Sequence, residues 1–296
     1  MTDPPLIGHL AVIGVGLIGG SAARALKKAN AVDRITGVGR SQPRLAKALE
    51  LGVVDDISSD MAAAVRDADV VLIAVPMGVY AAVFEAIAGA LPAHAIITDA
   101  GSTKQHAIRE ARRYLSDPSR FVPAHPIAGA EHSGVEASNA ELFRDHLCLL
   151  TPDEDVDPEA VAKIDAMWAA CGCRVEKMCA DEHDDFLAAV SHLPHVVAYA
   201  LVNAINKEGN ERQDPFRFAA GGFRDFTRIA SSSPAMWRDI VLNNRRSILS
   251  KLDGLEAELG ALRQAINDGD GERVVDMFTS AKQARDAWMQ RRGKGL

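Results

Sequence analysis

The sequence predicts an α/β protein in two parts, a doubly wound, mostly parallel sheet followed by an all-helical region. Three observations carry that prediction. Short runs rich in β-forming residues alternate with segments of helical spacing from about residue 9 onward. A glycine-rich turn, GVGLIGGS, joins the first such run to the first helical segment. Beyond CRVEKM the strand pattern stops and almost only helical periodicity remains. The division falls between residues 1–178 and 179–296.

The elements follow in order. His9 to Ile13 is a short apolar strand, and Ser21 to Lys28 is a helix with Lys27 and Lys28 at its C-terminal end, where the helix dipole favours cations. RITGVGR reads as a second strand and RLAKALELG as a second helix closed by Gly52. ADVVLIAVP is almost continuously apolar, as a strand of a parallel sheet covered on both faces must be. VYAAVFEAIAGAL is helical, HAIITDAGS strand-like, QHAIREARRYL helical, and FVPAH and HLCLLTP are strands. In the second part, HDDFLAAVSHLPHVVAYALVNAIN is too apolar for one surface helix. It belongs at the centre of a helical domain or in a subunit interface, with a kink at Pro194. MWRDIVLNNRRSILSKLDGLEAELGALRQAIND and RVVDMFTSAKQARDAWMQRR are two further amphipathic runs.

Composition narrows the function. The net charge of -7, without a long basic run, gives no electrostatic footprint for nucleic acid. The N-terminus lacks a basic region ahead of an apolar one, and no apolar run is expected to reach the roughly 18 residues of a membrane span. The expectation is a cytoplasmic protein bound to neither membrane nor nucleic acid. Cys148, Cys171, Cys173 and Cys179 form no C-x-x-C pair, and Cys171-Gly-Cys173 reads as strand. They are taken as reduced thiols, with no metal site.

Gly14, Gly16 and Gly19 form G-x-G-x-x-G between a strand and a helix, the place of the dinucleotide fingerprint of a Rossmann fold. Gly14 permits the tight turn, Gly16 lets the backbone approach a pyrophosphate, and Gly19 lets helix and sheet pack closely. Leu17 and Ile18 complete the turn, and Pro76, at the end of the ADVVLIAVP strand, joins the candidate cofactor contacts. At the end of the second strand an NAD site usually carries an acidic residue. Here Arg40 and Ser41 stand in its place, with Arg44 close by. An arginine pairs with a 2′-phosphate and stacks on adenine, so NADP is the preferred cofactor on this reading and NAD the alternative.

A second ligand in such a sheet binds beyond the carboxyl ends of the strands. Three segments should converge there, ending at Pro76, at Ser102-Thr103-Lys104, and at His125. His125 opens HPIAGAEHSG, a run with almost nothing to bury. A neutral imidazole placed there suits hydrogen-bond acceptance near physiological pH. The plainer alternative is a strand-end histidine bonded to backbone.

Five motifs, GLIGGS, DAGSTK, HPIAGAEHSG, SHLPH and GGFRDFTRIASSSPAMWRDI, occur in one order between about residues 9 and 250. Together they resemble the prephenate and arogenate dehydrogenases of tyrosine biosynthesis. The resemblance implies a Rossmann domain, a helical substrate-binding and dimerisation domain, and a homodimer. It also implies oxidative decarboxylation of a cyclohexadienol with a nicotinamide cofactor. Hydride leaves C4 of the ring and the C1 carboxylate leaves as carbon dioxide. His125 is then the acceptor on the C4 hydroxyl, and Ser102 either holds that hydroxyl or orients the imidazole. Ser102 is also counted among the cofactor contacts. Arg228 matches the family's substrate-binding arginine, suited to a bidentate carboxylate contact. Arg224 is a second candidate that alternatively pairs with Asp225.

His195 is placed with the catalytic group as a polar lining residue. Ser191, four residues before it, shares its helical face if Pro194 does not break the helix. His192 serves the same pocket or a buried hydrogen bond. His183 and Asp184 are read as structural, joining the two parts. Glu131 faces the substrate side chain or shapes the entrance, and with His132 bears on prephenate against arogenate. Trp237 either covers the pocket or is an ordinary core residue. The chain starts close to its first strand and ends with the helices, so neither a fused mutase nor a C-terminal regulatory domain is expected.

Two other readings stand beside this one. Another oxidoreductase of similar layout, such as a 3-hydroxyacid dehydrogenase, usually relies on a lysine in the helical domain, where SHLPH stands here. A non-catalytic nucleotide-sensing module has no reason to keep Ser102, His125 and Arg228 together.

Overall fold

The computed structural model describes residues 4–129, 133–209 and 214–292. The chain forms two compact units, Met1–Arg245 and Arg246–Leu296. Six strands of the first unit make one sheet: β1 (Ile7–Ile13), β2 (Val32–Val38), β3 (Asp56–Ser58), β4 (Val70–Ile73), β5 (Ile96–Asp99) and β6 (Phe121–Val122). Their order is β3-β2-β1-β4-β5-β6 and every pairing is parallel. This is the strand order of a doubly wound dinucleotide-binding sheet. Helices α1 (Leu17–Lys28), α2 (Gln42–Glu50), α3 (Met61–Val65), α4 (Tyr80–Ile87) and α5 (Lys104–Tyr114) connect the strands.

Alternation along the strands divides the core. Leu10, Val12, Val70 and Leu72 pack on one face with Leu26, Phe143 and Trp168. Ala11, Ile13, Val71 and Ile73 pack on the other with Tyr80, Phe84 and Phe121. Both faces are covered, so the central strand β4 is apolar at every position, Val70–Ile73. Helix α1 begins at Leu17, four residues earlier than its sequence periodicity indicates, because the first turn is the glycine turn itself.

The segment FVPAH, expected as one strand, is two. β6 ends at Val122 in the first sheet, and β7 (Ala124–Pro126) opens a second sheet of order β7-β8-β9 with β8 (Leu147–Leu150) and β9 (Arg174–Lys177). Pro123 has no N–H to continue the first ladder. Its carbonyl instead accepts from Thr151 N beyond the end of β8. β7 runs antiparallel to β8, so His125 lies inside a strand at the junction of two sheets, not just past a strand end.

The strand reading of Cys171-Gly-Cys173 is corrected as well. Cys171 caps α6 (Pro158–Ala170), and Gly172 turns at φ +95° before β9 begins at Arg174. Cys148, Cys171 and Cys173 are buried, and burial pushes the thiols of Cys148 and Cys171 up, leaving them as packing groups. Cys179 is exposed; its sulfur accepts from Glu182 N at the start of α7 (Ala180–Leu187). No group of three metal-ligating side chains exists among the described residues.

Helix α7 passes through a π-helical turn, Ala188–His192, into α8 (Leu193–Glu208). Pro194 cannot donate to the carbonyl four residues earlier, and the π turn takes up the mismatch without a break. The continuous helix Ala180–Glu208 is therefore long and apolar enough to cross a membrane by length and composition, contrary to the sequence expectation. Only 22% of its apolar window is buried, with Phe186 and Val190 exposed. The first unit closes with α9 (Gly221–Thr227) and α10 (Pro234–Asn243). The second consists of two long helices, α11 (Arg245–Asn267) and α12 (Gly271–Arg292), which expose Leu259, Ile266, Phe278 and Trp288.

Candidate active site

The parallel register sets the first half of the site. Ile13 pairs with Val38 and Ile73, and Ile73 with Asp99, so the loops after β1, β2, β4 and β5 leave the sheet along one edge. The glycine turn follows Ile13. Gly14 has φ +99°, and a Cβ there would lie 2.5 Å from the carbonyl oxygen of Ala74. A Cβ on Gly19 would lie 2.3 Å from the oxygen of Gly14, so helix and turn touch through bare backbone. At Gly16 a Cβ would meet nothing within 4 Å. That open space faces the start of α1, whose first turn has no side-chain cap and no acidic residue. Free N–H groups, a favourable helix dipole and room at Gly16 fit a pyrophosphate. Leu17 and Ile18 supply the first turn. Arg40 and Arg44 are exposed beyond β2, Ser41 is the N-cap of α2, and Pro76 follows β4.

A buried ion pair sets the second half, and the sequence reading did not assign it a role. Asp99 and Lys104 are both 0% exposed. Asp99 Oδ2 accepts from Tyr80 Oη at 3.0 Å, Gly101 N at 2.9 Å and Lys104 Nζ at 2.6 Å, while Oδ1 accepts from Ala124 N at 2.9 Å. Lys104 Nζ also donates to the Ala124 carbonyl at 2.6 Å. One carboxylate and one ammonium thus hold the loop that carries Ser102 and the strand that carries His125.

His125 is partly buried, and its Nδ1 lies 2.9 Å from Nε2 of His183. His183 Nδ1 lies 2.9 Å from Asp184 Oδ1. Asp184 in turn accepts from the backbone N–H groups of Lys104, at 2.8 Å, and Gln105, at 3.1 Å. Thr103 is the N-cap of α5 but makes no capping bond; Asp184 caps that helix from 80 residues away. The expectation that His183 and Asp184 are structural is therefore half right. They join α7 to α5, and they also contact the candidate catalytic imidazole. In the sequence they belong to the polar run DEHDD at the start of α7, which by itself points to no partner.

His192 and His195 lie nearby. His192 is buried, with Nδ1 3.1 Å from Asn244 Nδ2, which also donates to the Asp184 carbonyl at 2.6 Å. His195 Nδ1 lies 2.9 Å from the Ser191 carbonyl, so the two share a face through backbone. The His195 ring stacks on Trp237 at 3.6 Å between centroids and 20° between planes. Trp237 is buried, and its Nε1 has no partner among the described residues. Arg228 opens the short 3-10 turn after α9, near enough for its charge to act on His195.

Electrostatics keep this cluster neutral. Burial holds His125 well below the ordinary histidine range, helped by the charges of His183, Lys104 and His192. Burial lowers His183 against the pull of Asp184, and brings His192 down to about 4. His195 is lowered by burial and by Arg228, against its bond to Ser191.

The side chains of three expected residues make no hydrogen bond to the histidine cluster among the described residues. Ser102 makes no hydrogen bond to His125 among the described residues; His183 occupies the orienting position instead. Arg224 is exposed and pairs with Asp225 at 3.2 Å, the alternative weighed for it from sequence. The Ser191 side chain plays no part in holding His195, whose partner is the backbone carbonyl. Glu131 and His132 lie outside the described residues.

Comparison with known proteins gives the family of the chain. The family model described as prephenate dehydrogenase, nucleotide-binding domain, matches residues 22–177, and that described as its dimerization domain matches residues 179–280. The chain is 40% identical over 278 residues to a cyclohexadienyl dehydrogenase of Zymomonas mobilis, covering 94% of each. It is 40% identical to a prephenate dehydrogenase of Bacillus subtilis, covering 92% of this chain and 74% of that one. Among solved structures, prephenate dehydrogenase of Aquifex aeolicus in complex with hydroxyphenyl propionate and NAD+ superposes with a TM-score of 0.89. It is 32% identical, covering 95% of this chain and 98% of the other.

Proposed function

Because this chain belongs to the prephenate dehydrogenase family, we propose that His125 accepts from the ring hydroxyl of a cyclohexadienol as that substrate is oxidatively decarboxylated. The protein is an oxidoreductase of tyrosine biosynthesis that acts on prephenate, arogenate or both with a nicotinamide nucleotide. The observation that carries the residue assignment is a neutral imidazole, joined by backbone to the buried Asp99–Lys104 pair, at the carboxyl edge of a dinucleotide-binding sheet.

The nicotinamide, when bound, supplies the acceptor for the hydride lost from C4. Gly14, Gly16 and Gly19 with the start of α1 would hold the pyrophosphate end of that cofactor. As the C4–H electron pair departs, positive charge develops at C4 and is relieved through the oxygen. His125 accepts the hydroxyl hydrogen bond and lets oxygen donate electron density. The electron pair of the bond to the C1 carboxylate stays in the ring as carbon dioxide leaves, and the product ring becomes aromatic. The phenol retains its proton at the end, so His125 needs only to accept and release a hydrogen bond.

Arg228 receives a substrate carboxylate, and Trp237 stacked on His195 forms the apolar wall beside it. Arg40 and Arg44 favour NADP through its 2′-phosphate. The exposed apolar surface of helix Ala180–Glu208 is covered by a second copy, giving a homodimer in the cytoplasm. The test is reduction of NAD and NADP, followed spectrophotometrically, with prephenate and with arogenate. His125→Asn should lower turnover by orders of magnitude with cofactor affinity intact. Retained turnover would remove His125 from the role. Arg228→Lys should chiefly raise KM, because a point charge replaces a planar fork.

A further inference from the structure

We propose that His183, anchored by Asp184, is a positioning residue that fixes the tautomer of His125 and so decides which ring nitrogen meets the substrate hydroxyl. The inference rests on the assignment of His125 as the acceptor.

The hydrogen-bond chain allows one consistent set of protons. The carboxylate of Asp184 is acceptor-only, and both its oxygens already receive backbone N–H groups, from Lys104 and Gln105. His183 Nδ1, 2.9 Å from Oδ1, must therefore carry hydrogen and donate. In a neutral His183 the other nitrogen, Nε2, is then a bare lone pair. His125 Nδ1 lies 2.9 Å from that lone pair, so it must be N–H. A neutral His125 with its proton on Nδ1 has Nε2 unprotonated, and Nε2 is the atom able to accept from a hydroxyl.

Histidine free in water prefers the opposite tautomer, with the proton on Nε2. That form would present a donor where the reaction needs an acceptor. Other groups around His125 do not supply the same restraint. Lys104 Nζ is committed to Asp99 and the Ala124 carbonyl, His192 Nδ1 faces Asn244, and among the described residues Ser102 makes no hydrogen bond to the ring. The dyad is also rigid, because His183 and Asp184 are buried and Asp184 is fixed to the first turn of α5. When His125 accepts from the hydroxyl, the positive charge that builds on its ring is shared through Nδ1–H with His183 and, beyond it, with the Asp184 carboxylate. The arrangement serves the orienting role that a carboxylate plays for the histidine of a hydrolase triad, with an imidazole interposed.

The test compares wild type, His183→Leu and His183→Gln as full-length protein with cofactor bound. Leucine removes the acceptor for His125 Nδ1–H; glutamine returns an amide oxygen near the same place. Loss of the tautomer should lower kcat on the order of 100-fold in His183→Leu, with substrate KM and cofactor Kd nearly unchanged, and His183→Gln should recover most of it. Nitrogen-15 NMR of labelled histidine reads the tautomer directly, with the His125 signal identified by its absence in His125→Asn. Wild type should show Nδ1–H and bare Nε2, and His183→Leu a mixed or reversed pattern.

A wild-type His125 protonated on Nε2 would overturn the proposal, as would wild-type turnover in His183→Leu. A loss of turnover with the tautomer unchanged would make His183 merely structural and would overturn it too. If His183→Leu does not fold, the wild-type spectrum and the His183→Gln kinetics still decide. Retained turnover in His125→Asn would instead sink the acceptor assignment itself, whereas loss there with none in His183→Leu sinks only the role of the dyad.

Discussion

Replacing Lys104 with methionine removes one partner of an ion pair that has no contact with solvent. The methylene stem still fits, so the change isolates the charge. Asp99 keeps Tyr80, Gly101 and Ala124 as donors but loses its cationic one, and the Ala124 carbonyl loses the bond from Nζ. Breaking a buried pair from one side costs about 3–5 kcal/mol, because an uncompensated charge stays behind. In a unit of this size each kcal/mol moves the unfolding midpoint by about 2–4 °C, so Lys104→Met should melt about 6–20 °C below wild type. Thermal unfolding followed by circular dichroism at neutral pH measures it. The double variant Asp99→Asn/Lys104→Met should cost less than the sum of the two single changes, since neither side is left charged and alone. Turnover should also fall in the single variant at temperatures where it is folded, because Ala124 precedes His125. A midpoint within about 2 °C of wild type, below the cost of one broken hydrogen bond, would refute the view that this pair holds the site together.

Four further outcomes follow from the same geometry. Gly16→Ala should leave stability within about 0.5 kcal/mol of wild type and weaken cofactor binding in a fluorescence titration, because its Cβ enters open space where a phosphate belongs. Gly19→Ala should instead cost about 1–3 kcal/mol in denaturant unfolding, because its Cβ meets the Gly14 oxygen at 2.3 Å. Folded His192 binds its proton near pH 4 against an ordinary 6.5, so the unfolded chain takes up more protons between those values. Stability is therefore full above pH 6.5 and drains as pH falls toward 4, by about 3 kcal/mol from this residue, with His125, His183 and His195 acting in the same direction. Urea unfolding at a series of pH values would show it, and a flat profile across that window would contradict it. Arg40→Asp should shift the ratio of affinities toward NAD; an unchanged ratio would detach Arg40 from cofactor choice.

The parts of this molecule that were legible in its sequence are the ones encoded locally. The glycine turn announced itself because φ +99° at Gly14 and the close approach at Gly19 exclude side chains, so the residue type records the geometry. The parallel sheet was legible because strands covered on both faces must be apolar throughout, as Val70 to Ile73 are. Contacts between distant segments left no such mark. Asp184 reads as one acid in a polar run until the fold brings it to the start of α5. His183 reads as one of three histidines in that segment until it meets His125, 58 residues earlier in the chain. The split of FVPAH at Pro123 was visible in principle, since proline cannot continue a ladder, but which sheet takes the second half depends on β8, more than twenty residues later. The π turn was masked by Pro194, which predicts a kink equally well.

The π turn over Ala188–His192 also constrains how this chain can change in length. Successive residues of an α-helix are about 100° apart around its axis, and a π turn holds one residue beyond the α repeat. The wide turn absorbs that extra residue, so deleting one residue between Ala188 and His192 would leave α8 nearly in phase with α7, and the His195 ring near the Trp237 face. The cost would be local, because regular α geometry sets the Pro194 ring against the carbonyl four residues earlier. A deletion in the regular turns of α7 has no such slack and would rotate everything downstream by about 100°. The segment therefore works as the slack of a long helix, the one stretch where a change in residue count need not turn the histidines beyond it.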